Sequence, residues 1–326
     1  MNTRERFQNV LNFKSVDRLP VIEWASWWSK TLERWQSEGL PAMENRDTMK
    51  YFNLDLHYQD WIRPAAASLP KTQESGKGII ESADDYLAIK KHLYPNIAVK
   101  EDLWRKLALE QSSGNAAVWF SLEGFFWFPR VLLGIERHLY SFYDAPELLH
   151  MISDDILKFH ISVIERICSF CIPDFMTFAE DMSYNNGSMI SKELFDVFIK
   201  PYYEKLVPLL HEKGIKVIVD SDGYIEELCG WFSDTGVDGF LPLEKNAGCD
   251  INSLKEKYPG KIFIGAFDKT VMHLGEKALR DEFERLLPAA RKGGFIISCD
   301  HQTPPEVSLE DYKLYLRIFD EYSRKI

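Results

Sequence analysis

The sequence of 326 residues lacks several features that would assign it to a class at once. No apolar run approaches the roughly 20 residues needed to cross a bilayer, so we expect no membrane-spanning helix. The first residues, MNTRERFQNVLNF, hold no apolar stretch followed by a cleavage site, which argues against a signal peptide. The 5 cysteines are scattered and odd in number, unlike a disulfide framework. These absences favour a cytoplasmic protein with reduced thiols.

The sequence is also short of positive charge. It has 39 Lys and Arg against 50 Asp and Glu, a net charge of −11. Because each phosphate contact needs a cation, we expect no binding to nucleic acid or to an anionic membrane. Neither GxGxxG nor GxxxxGK[ST] occurs, which counts against dinucleotide and P-loop nucleotide sites. With 45% apolar and 27% charged residues, the composition is that of a folded globular protein.

The sequence does contain a repeated alternation of short apolar runs with helical patterns, which is typical of parallel strands joined by helices. The main predicted helices cover 3–13, 27–50, a pair within 83–113, 146–171, 191–213, 250–258, 276–291 and a last helix capped by Ser308. The predicted strands are 18–22, 54–62, 116–122, 174–178, 215–219, 239–243, 262–266 and 294–298.

This alternation predicts an α/β fold, specifically a (β/α)8 TIM barrel with an N-terminal helical extension. We expect residues 1–326 to form a single barrel domain. The extension and the first strands would lie in 1–115, and the main run of βα units in 116–326.

Acidic residues follow nearly every predicted strand. An isolated acid at a strand end is more often a turn or helix-cap residue. Barrel enzymes, however, carry their chemistry at the carboxyl ends of the strands, so the repetition favours one shared site. The residues concerned are Glu23, Glu123, Glu180, Asp181, Asp220, Asp222, Glu244, Asp268, Asp300 and His301.

Part of this set has the residue types of a divalent metal site. Asp220, Asp222 and the distant His301 offer oxygen ligands with one imidazole, which suits zinc, manganese or iron. Glu244 is predicted as a fourth ligand or as an acid behind the ligands. The pair Cys168 and Cys171, a CxxC without a second pair, is interpreted as core packing.

A general acid is predicted at Glu180 or Asp181, because one of two adjacent carboxyls can stay protonated near neutral pH. Lys269 is expected either to pair with Asp268 or to bind a negatively charged group of the substrate. These roles depend on the strand ends meeting at one edge of the sheet.

Aromatic residues are concentrated directly after two of the predicted strands. Trp24, Trp27, Phe125 and Trp127 are predicted to form the wall of a pocket for a flat, apolar substrate. The alternative is a hydrophobic lid or a dimer surface. The oligomeric state stays open, and exposed aromatics near the N-terminus are compatible with a homodimer.

Several stretches together resemble the uroporphyrinogen decarboxylase superfamily, and they run through nearly the whole sequence. That superfamily is a (β/α)8 barrel that includes porphyrinogen decarboxylases and corrinoid-dependent methyltransferases. The matching stretches are Arg4–Phe7, Asp17–Val21, Glu180–Asp181, Ile190–Ser191, Pro201–Tyr203, Asp220–Gly223, Gly236–Gly239, Asp300–His301 and Pro304–Pro305.

The resemblance implies a corrinoid-dependent methyltransferase. In superfamily members that use a thiol, zinc is held by a His-x-Cys pair and a later Cys, and here Asp220, Asp222 and His301 occupy those places. Carboxylate and imidazole ligands make a harder Lewis acid, suited to an oxygen substrate. The implied reaction moves a methyl group from a methyl ether, aromatic ethers included, or from methanol. The acceptor would be a corrinoid on a partner protein, with zinc or another divalent metal as cofactor.

The resemblance leaves two other functions open. The decarboxylases carry an arginine-rich segment for their eight-carboxylate substrate, whereas this sequence has the acidic and aromatic stretch Glu23–Trp28. The runner-up is therefore a metal-free decarboxylase or lyase acting on a non-porphyrin or smaller substrate. The third is a barrel that binds a ligand without catalysis.

Overall fold

The computed structural model describes residues 1–72, 76–96 and 98–326. It has an α/β fold in which three helices precede the first strand of a parallel sheet, in agreement with the predicted N-terminal extension. The α-helices are α1 (Thr3–Leu11), α2 (Ser29–Ser37), α3 (Asn45–Tyr51), α4 (Ala83–Ile89), α5 (Glu101–Ser112), α6 (Trp127–Leu133), α7 (Ile135–Asp144), α8 (Pro146–Cys168), α9 (Lys192–Phe198), α10 (Lys200–Glu212), α11 (Glu226–Ser233), α12 (Ile251–Lys257), α13 (Glu276–Ala290) and α14 (Leu309–Ser323). Short 3-10 helices cover Lys90–His92, Lys245–Ala247 and Lys269–Val271.

The strands form one curled parallel sheet and one small hairpin. They are β1 (Leu56–Ile62), β2 (Ala116–Glu123), β3 (Phe175–Ala179), β4 (Ser183–Tyr184), β5 (Gly187–Ser188), β6 (Lys216–Asp220), β7 (Gly239–Leu241), β8 (Ile262–Phe267) and β9 (Phe295–Cys299). The order in the sheet is β1-β2-β3-β6-β7-β8-β9, and β4 and β5 pair antiparallel. Seven of the eight predicted strands are thereby confirmed, and the fold class is the predicted barrel type.

The predicted strand 18–22 is wrong as a regular strand, although its segment lies between β1 and β9. The main-chain N–H of Val21 donates to the carboxylate of Asp55 (2.8 Å) instead of to a neighbouring strand. Pro20 has no N–H to give to a ladder. The segment is held by single bonds, among them Asp55 N to Val21 O at 2.9 Å and Trp24 N to Ser298 Oγ at 3.0 Å. It therefore connects the two outer strands of the sheet without a regular ladder.

Two long predicted helices are divided in the structure. Residues 27–50 form α2 and α3, separated by a turn in which Gly39 has φ +105° and Pro41 follows. Glycine tolerates this left-handed backbone, and proline lacks the N–H that a continuing helix would use. Residues 191–213 likewise form α9 and α10, with Pro201 in the first turn of α10.

The strands explain the core. β2, β3, β8 and β9 are buried along their whole length, as expected for parallel strands covered by helices on one face and by the barrel interior on the other. Among the described residues, no helix is both long and apolar enough to cross a membrane. The carboxyl ends of the strands all open on one face, which we name the mouth.

Candidate functional site

Strand register brings two acids to the same level of the mouth. Glu123 at the end of β2 pairs with Ala179 of β3, and Ala179 pairs with Asp220 of β6. Residues in register on parallel strands face the same side of the sheet, so Glu123 and Asp220 both face the barrel interior. With strands about 4.8 Å apart, their main chains lie about 10 Å from each other.

Asp220 is the centre of a group of carboxylates. Within the described residues its side chain accepts no hydrogen bond, and its carboxyl is repelled by Asp222 and Asp181. Burial, and then these two like charges, raise the pKa of Asp220 well above its usual value. Asp181 lies where the backbone has φ +40°, and burial and Asp222 raise its pKa too. Asp220 therefore favours its protonated form more strongly than a free aspartic acid does.

His301 lies beside this group, as the sequence predicted. Its Nε2 is 3.7 Å from Asp222 Oδ2, and this neighbour raises the pKa of His301. Its Nδ1 accepts a hydrogen bond from Gln302 N at 2.9 Å, so the neutral ring carries its proton on Nε2. The ring of Trp24 stands edge-on to the imidazole, with the centroids 6.2 Å apart.

Lys269 lies between two acids of the mouth, and the expected contact with a negatively charged group of the substrate stays a prediction. Its Nζ is 3.5 Å from Glu244 Oε1 and 3.6 Å from Asp300 Oδ1. Glu244 also accepts a hydrogen bond from Gly223 N at 2.9 Å, which ties it to the loop after β6. Burial raises the pKa of Asp300 to about 6, although Lys269 opposes the shift. The predicted alternative pairing with Asp268 is not found, since Asp268 pairs with Lys245 at 3.4 Å.

Glu180 lies inside the protein instead of facing the mouth. Its carboxylate accepts hydrogen bonds from the main-chain N–H groups of residues 125, 126 and 127 at 2.9, 2.7 and 3.2 Å. Tyr203 donates a fourth at 2.7 Å, and the side chain is 0% exposed. Burial raises its pKa to about 7. Through these contacts Glu180 holds the turn that starts α6. Of the two predicted general acids, only Asp181 borders the mouth.

The four aromatic residues predicted as a pocket wall are separated. Trp24 borders the mouth, and its Nε1 donates to Cys299 O at 2.9 Å. Trp127 is partly exposed and lies under the guanidinium of Arg130, 4.9 Å from the ring centroid. Trp27 is instead buried, and Phe125 stacks in the core on Tyr202 at 4.8 Å. Core packing thus accounts for two of the four.

Three residues at the mouth were not assigned a role from the sequence. Glu123 is 5% exposed, its nearest cation is Arg63 at 3.9 Å, and burial raises its pKa to about 7. Arg130 donates to the main-chain oxygen of Asp181 at 2.8 Å. Asp300 faces Lys269. Glu123 and Asp300 carried the same signal as the predicted residues, an acid at a strand end. Arg130 in α6 stood out from the sequence only as one of a few scattered arginines that a decarboxylase-type pocket would use.

The donor types at the mouth suit a divalent metal, but their arrangement does not. No three His, Cys, Asp or Glu side chains among the described residues come together closely enough to hold a metal ion. A histidine that binds a metal normally donates a hydrogen bond from its other ring nitrogen, whereas His301 Nδ1 accepts one. Binding through Nε2 would need that proton to move to Nδ1 and the contact with Gln302 to be lost. The predicted set of Asp220, Asp222, Glu244 and His301 is thus not preformed as a metal site.

Comparison with known families finds a match over more than half of the chain. The family model described as uroporphyrinogen decarboxylase (URO-D) matches residues 131–322, a range that contains Asp181, Asp220 and His301.

Curated relatives are distant. Uroporphyrinogen decarboxylase from Campylobacter jejuni strain 81-176 is 23% identical over 189 residues, covering 56% of this chain and 52% of that protein. Uroporphyrinogen decarboxylase from Campylobacter lari is 24% identical over 190 residues, with the same coverage of 56% and 52%. The chain spans about half the length of the curated relatives it matches.

Among solved structures, a proposed vitamin-B12-independent methionine synthase from Listeria monocytogenes is similar with a TM-score of 0.51 and 11% identity. The match covers 96% of this chain and 99% of that one. At this identity the likeness concerns the fold alone.

Proposed function

Because the chain belongs to the uroporphyrinogen decarboxylase (URO-D) family, we propose that it is an enzyme of that family that uses its acidic mouth for methyl transfer. The donor would be a methyl ether, aromatic ethers included, or methanol. The acceptor would be a corrinoid protein. A reduced corrinoid on that partner would supply the nucleophile that takes the methyl group.

The observation that carries the proposal is the charge balance of the mouth. Its cations lie next to acids: Arg130 is 3.3 Å from Asp181, and Lys269 lies between Glu244 and Asp300. Arg63 is exposed and lies 3.9 Å from Glu123. Within the described residues the mouth therefore presents more acids than cations, and a substrate with many carboxylates would be repelled. An uncharged oxygen compound meets no such repulsion.

Asp220 supplies the chemistry that such a donor needs. Breaking a bond between methyl carbon and oxygen leaves negative charge on the oxygen, and a proton delivered to that oxygen makes it a better leaving group. Burial, Asp222 and Asp181 raise the pKa of Asp220 well above its usual value, which favours the protonated form that can donate. In the proposed step the methyl–oxygen bond breaks and the methyl group passes to the nucleophile. The Asp220 proton ends on the leaving oxygen, which gives an alcohol or phenol from a methyl ether and water from methanol.

The predicted zinc ion has no step in this scheme, because the residues do not fit it as they are arranged. It stays a prediction that metal content can test. Plasma mass spectrometry on tag-free protein should be run on the wild type beside His301→Ala and Asp222→Ala. About one equivalent of zinc, lost from both variants, would mean that the mouth rearranges around a metal. Metal that both variants retain would be bound elsewhere.

The proposal is tested by following methyl transfer from methanol and from anisole to free cob(I)alamin by absorbance. We expect Asp220→Asn to slow transfer by about 10²- to 10⁴-fold, the range for loss of a general acid. Asp196→Asn removes an exposed acid of α9, paired with Lys192 at the helix surface, and serves as the matched control. Unchanged transfer in Asp220→Asn would remove Asp220 from the mechanism. No transfer by the wild type, with either donor or with the natural corrinoid partner, would contradict methyl transfer itself.

Decarboxylation of a small substrate is the second candidate, favoured by the family and by the names of the curated relatives. A single carboxylate could lie near Lys269, and the proton of Asp220 could be delivered to the carbon that loses carbon dioxide. Release of labelled carbon dioxide from small pyrrole carboxylic acids, lost in Asp220→Asn, would favour this reaction over methyl transfer.

A further inference from the structure

Glu23 is a buried acid that the proposed reaction does not use. It is 3% exposed, and its Oε2 accepts hydrogen bonds from Ser298 Oγ at 3.1 Å and Cys299 N at 3.2 Å. Its Oε1 accepts one from the hydroxyl of Tyr312 at 3.5 Å. No Lys, Arg or His within the described residues forms an ion pair with this carboxylate.

The main chain around Glu23 makes a second set of contacts with the same strand. Trp24 N donates to Ser298 Oγ at 3.0 Å, and Trp24 Nε1 donates to Cys299 O at 2.9 Å. On the other side, His57 Nε2 lies 2.9 Å from the main-chain oxygen of Glu23. Glu23 and Trp24 thus fasten the end of β9 to β1 where no regular strand pairing joins them.

The end of β9 leads directly into the mouth. Ser298 and Cys299 are followed by Asp300 and His301, and the ring of Trp24 stands against the imidazole of His301. The contacts of Glu23 therefore fix the two residues that set the direction of the chain into His301. A shift of β9 at this point would change the 3.7 Å distance between His301 and Asp222.

Stability alone gives no reason for an acid at this position. A buried carboxyl without a cation is unfavourable compared with a well-packed apolar side chain of similar size. The groups that face this carboxyl belong instead to β9 and, through Tyr312 and Tyr315, to α14. A side chain that disfavours burial yet aligns a strand end at the mouth has the character of a functional residue.

We propose that Glu23 is a positioning residue for the mouth: by binding Ser298 and Cys299 it holds His301 against Asp222 and Trp24. The proposal adds to the proposed function, since it gives the site a residue from outside the matched range 131–322. In this role Glu23 sets the position of His301 and does not contact the substrate.

The test reads the ionisation of His301, which depends on Asp222 and not on turnover. In protein labelled with 13C at the histidine ring, the His301 signal is identified by its absence in His301→Gln. In the wild type, Asp222 raises the pKa of His301 above the ordinary 6.5. We expect Glu23→Leu to move the measured pKa toward 6.5, because β9 is released and the pair with Asp222 separates.

Two further variants make the test specific. Glu23→Gln is isosteric with the protonated acid, a form within reach because burial raises the pKa of Glu23 to about 7. It should retain the His301 titration of the wild type. Glu38→Leu is the matched control, because Glu38 also binds α14 and accepts a hydrogen bond from Leu309 N at 2.6 Å. Among the described residues, Glu38 has no hydrogen bond or ion pair with β9 or with the mouth. It should leave the His301 titration unchanged.

The same titration overturns the proposal if Glu23→Leu leaves the His301 pKa at the wild-type value, or if Glu38→Leu shifts it equally. Should Glu23→Leu fail to fold, Ser298→Ala removes the hydroxyl that joins Glu23 to Trp24 with little change in volume. A shift toward 6.5 supports the proposal, and an unchanged titration contradicts it. Since no substrate is present, the result stays separate from whether the chain transfers methyl groups.

Discussion

Replacing Glu123 by Gln tests how one acid of the mouth changes the free energy of unfolding with pH. Glu123 is 5% exposed, accepts no hydrogen bond within the described residues, and has the exposed Arg63 at 3.9 Å as its nearest cation. Gln has nearly the same shape, so the replacement removes the charge and little else. The pKa of Glu123 rises from 4.5 to about 7 on folding because the side chain is buried.

The sign of the effect follows from proton binding. Between pH 4.5 and about 7 the folded state holds the Glu123 proton and the unfolded state has released it, so the free energy of unfolding falls as the pH rises. Below 4.5 both states are protonated, and above about 7 the loss is complete. At 1.36 kcal/mol per pKa unit, the loss amounts to about 3 kcal/mol.

The assay is urea unfolding of the wild type and Glu123→Gln at pH 5 and pH 8. We expect the variant to gain about 2.5 kcal/mol relative to the wild type between these pH values, because the variant has no carboxyl proton to lose and a small part of the wild type's loss has already occurred at pH 5. Glu33→Gln, a change at an exposed position of α2, should show the same difference at both. An equal difference for Glu123→Gln at pH 5 and pH 8 would refute the idea that this acid is kept protonated by burial.

Three other substitutions have outcomes that the structure fixes. Gly124→Ala would bring a Cβ within 2.1 Å of the Glu180 carboxyl carbon, so we expect little soluble protein, measured by expression beside the wild type. Tyr203→Phe leaves Glu180 without its hydroxyl donor and should lower the free energy of unfolding by about 1–3 kcal/mol in urea. Asp55→Asn removes the charge of a buried carboxylate that is bound by two arginines. It should lower the free energy of unfolding by about 3–5 kcal/mol, and a melting temperature equal to that of the wild type would contradict this expectation.

The strands and the convergence of acids at the mouth could be predicted because both depend on local pattern. Apolar runs gave seven of the eight strands, and strand ends placed Asp220 and Glu244 on one face. The eighth failed because the N–H of Val21 is taken by the side chain of Asp55, which lies 34 positions along the chain. A partner so distant leaves no trace in local periodicity.

Side-chain direction is what the sequence could not supply. Glu180 and Asp181 are adjacent, yet one clamps the turn before α6 and the other borders the mouth. Phe125 and Trp127 flank the same turn, and only Trp127 reaches solvent. Whether each of these side chains points into the core or toward solvent depends on which helix packs on the turn. The sequence does not show that packing, and both an acid and an aromatic residue are compatible with either direction.

Acidic residues have opposite surroundings at the two ends of the barrel, and this contrast indicates which end carries the chemistry. At the amino ends of the strands, Asp55 binds Arg6 and Arg18, and Asp174 binds Arg4 at 2.9 Å. Both also accept main-chain N–H groups, so each charge is neutralised and contributes to the fold.

At the mouth the balance is reversed. Asp220 has like charges beside it and no hydrogen-bond donor within the described residues, and burial keeps Glu123 close to its protonated form. Acids arranged in this way lower the free energy of unfolding as the pH rises. Well-packed apolar side chains at these positions would not have this cost. What they provide is carboxyl groups that favour their protonated form at the end of the barrel where this fold carries its reactions. The electrostatics of the chain therefore favour acid catalysis at Asp220 over a purely structural role for the mouth.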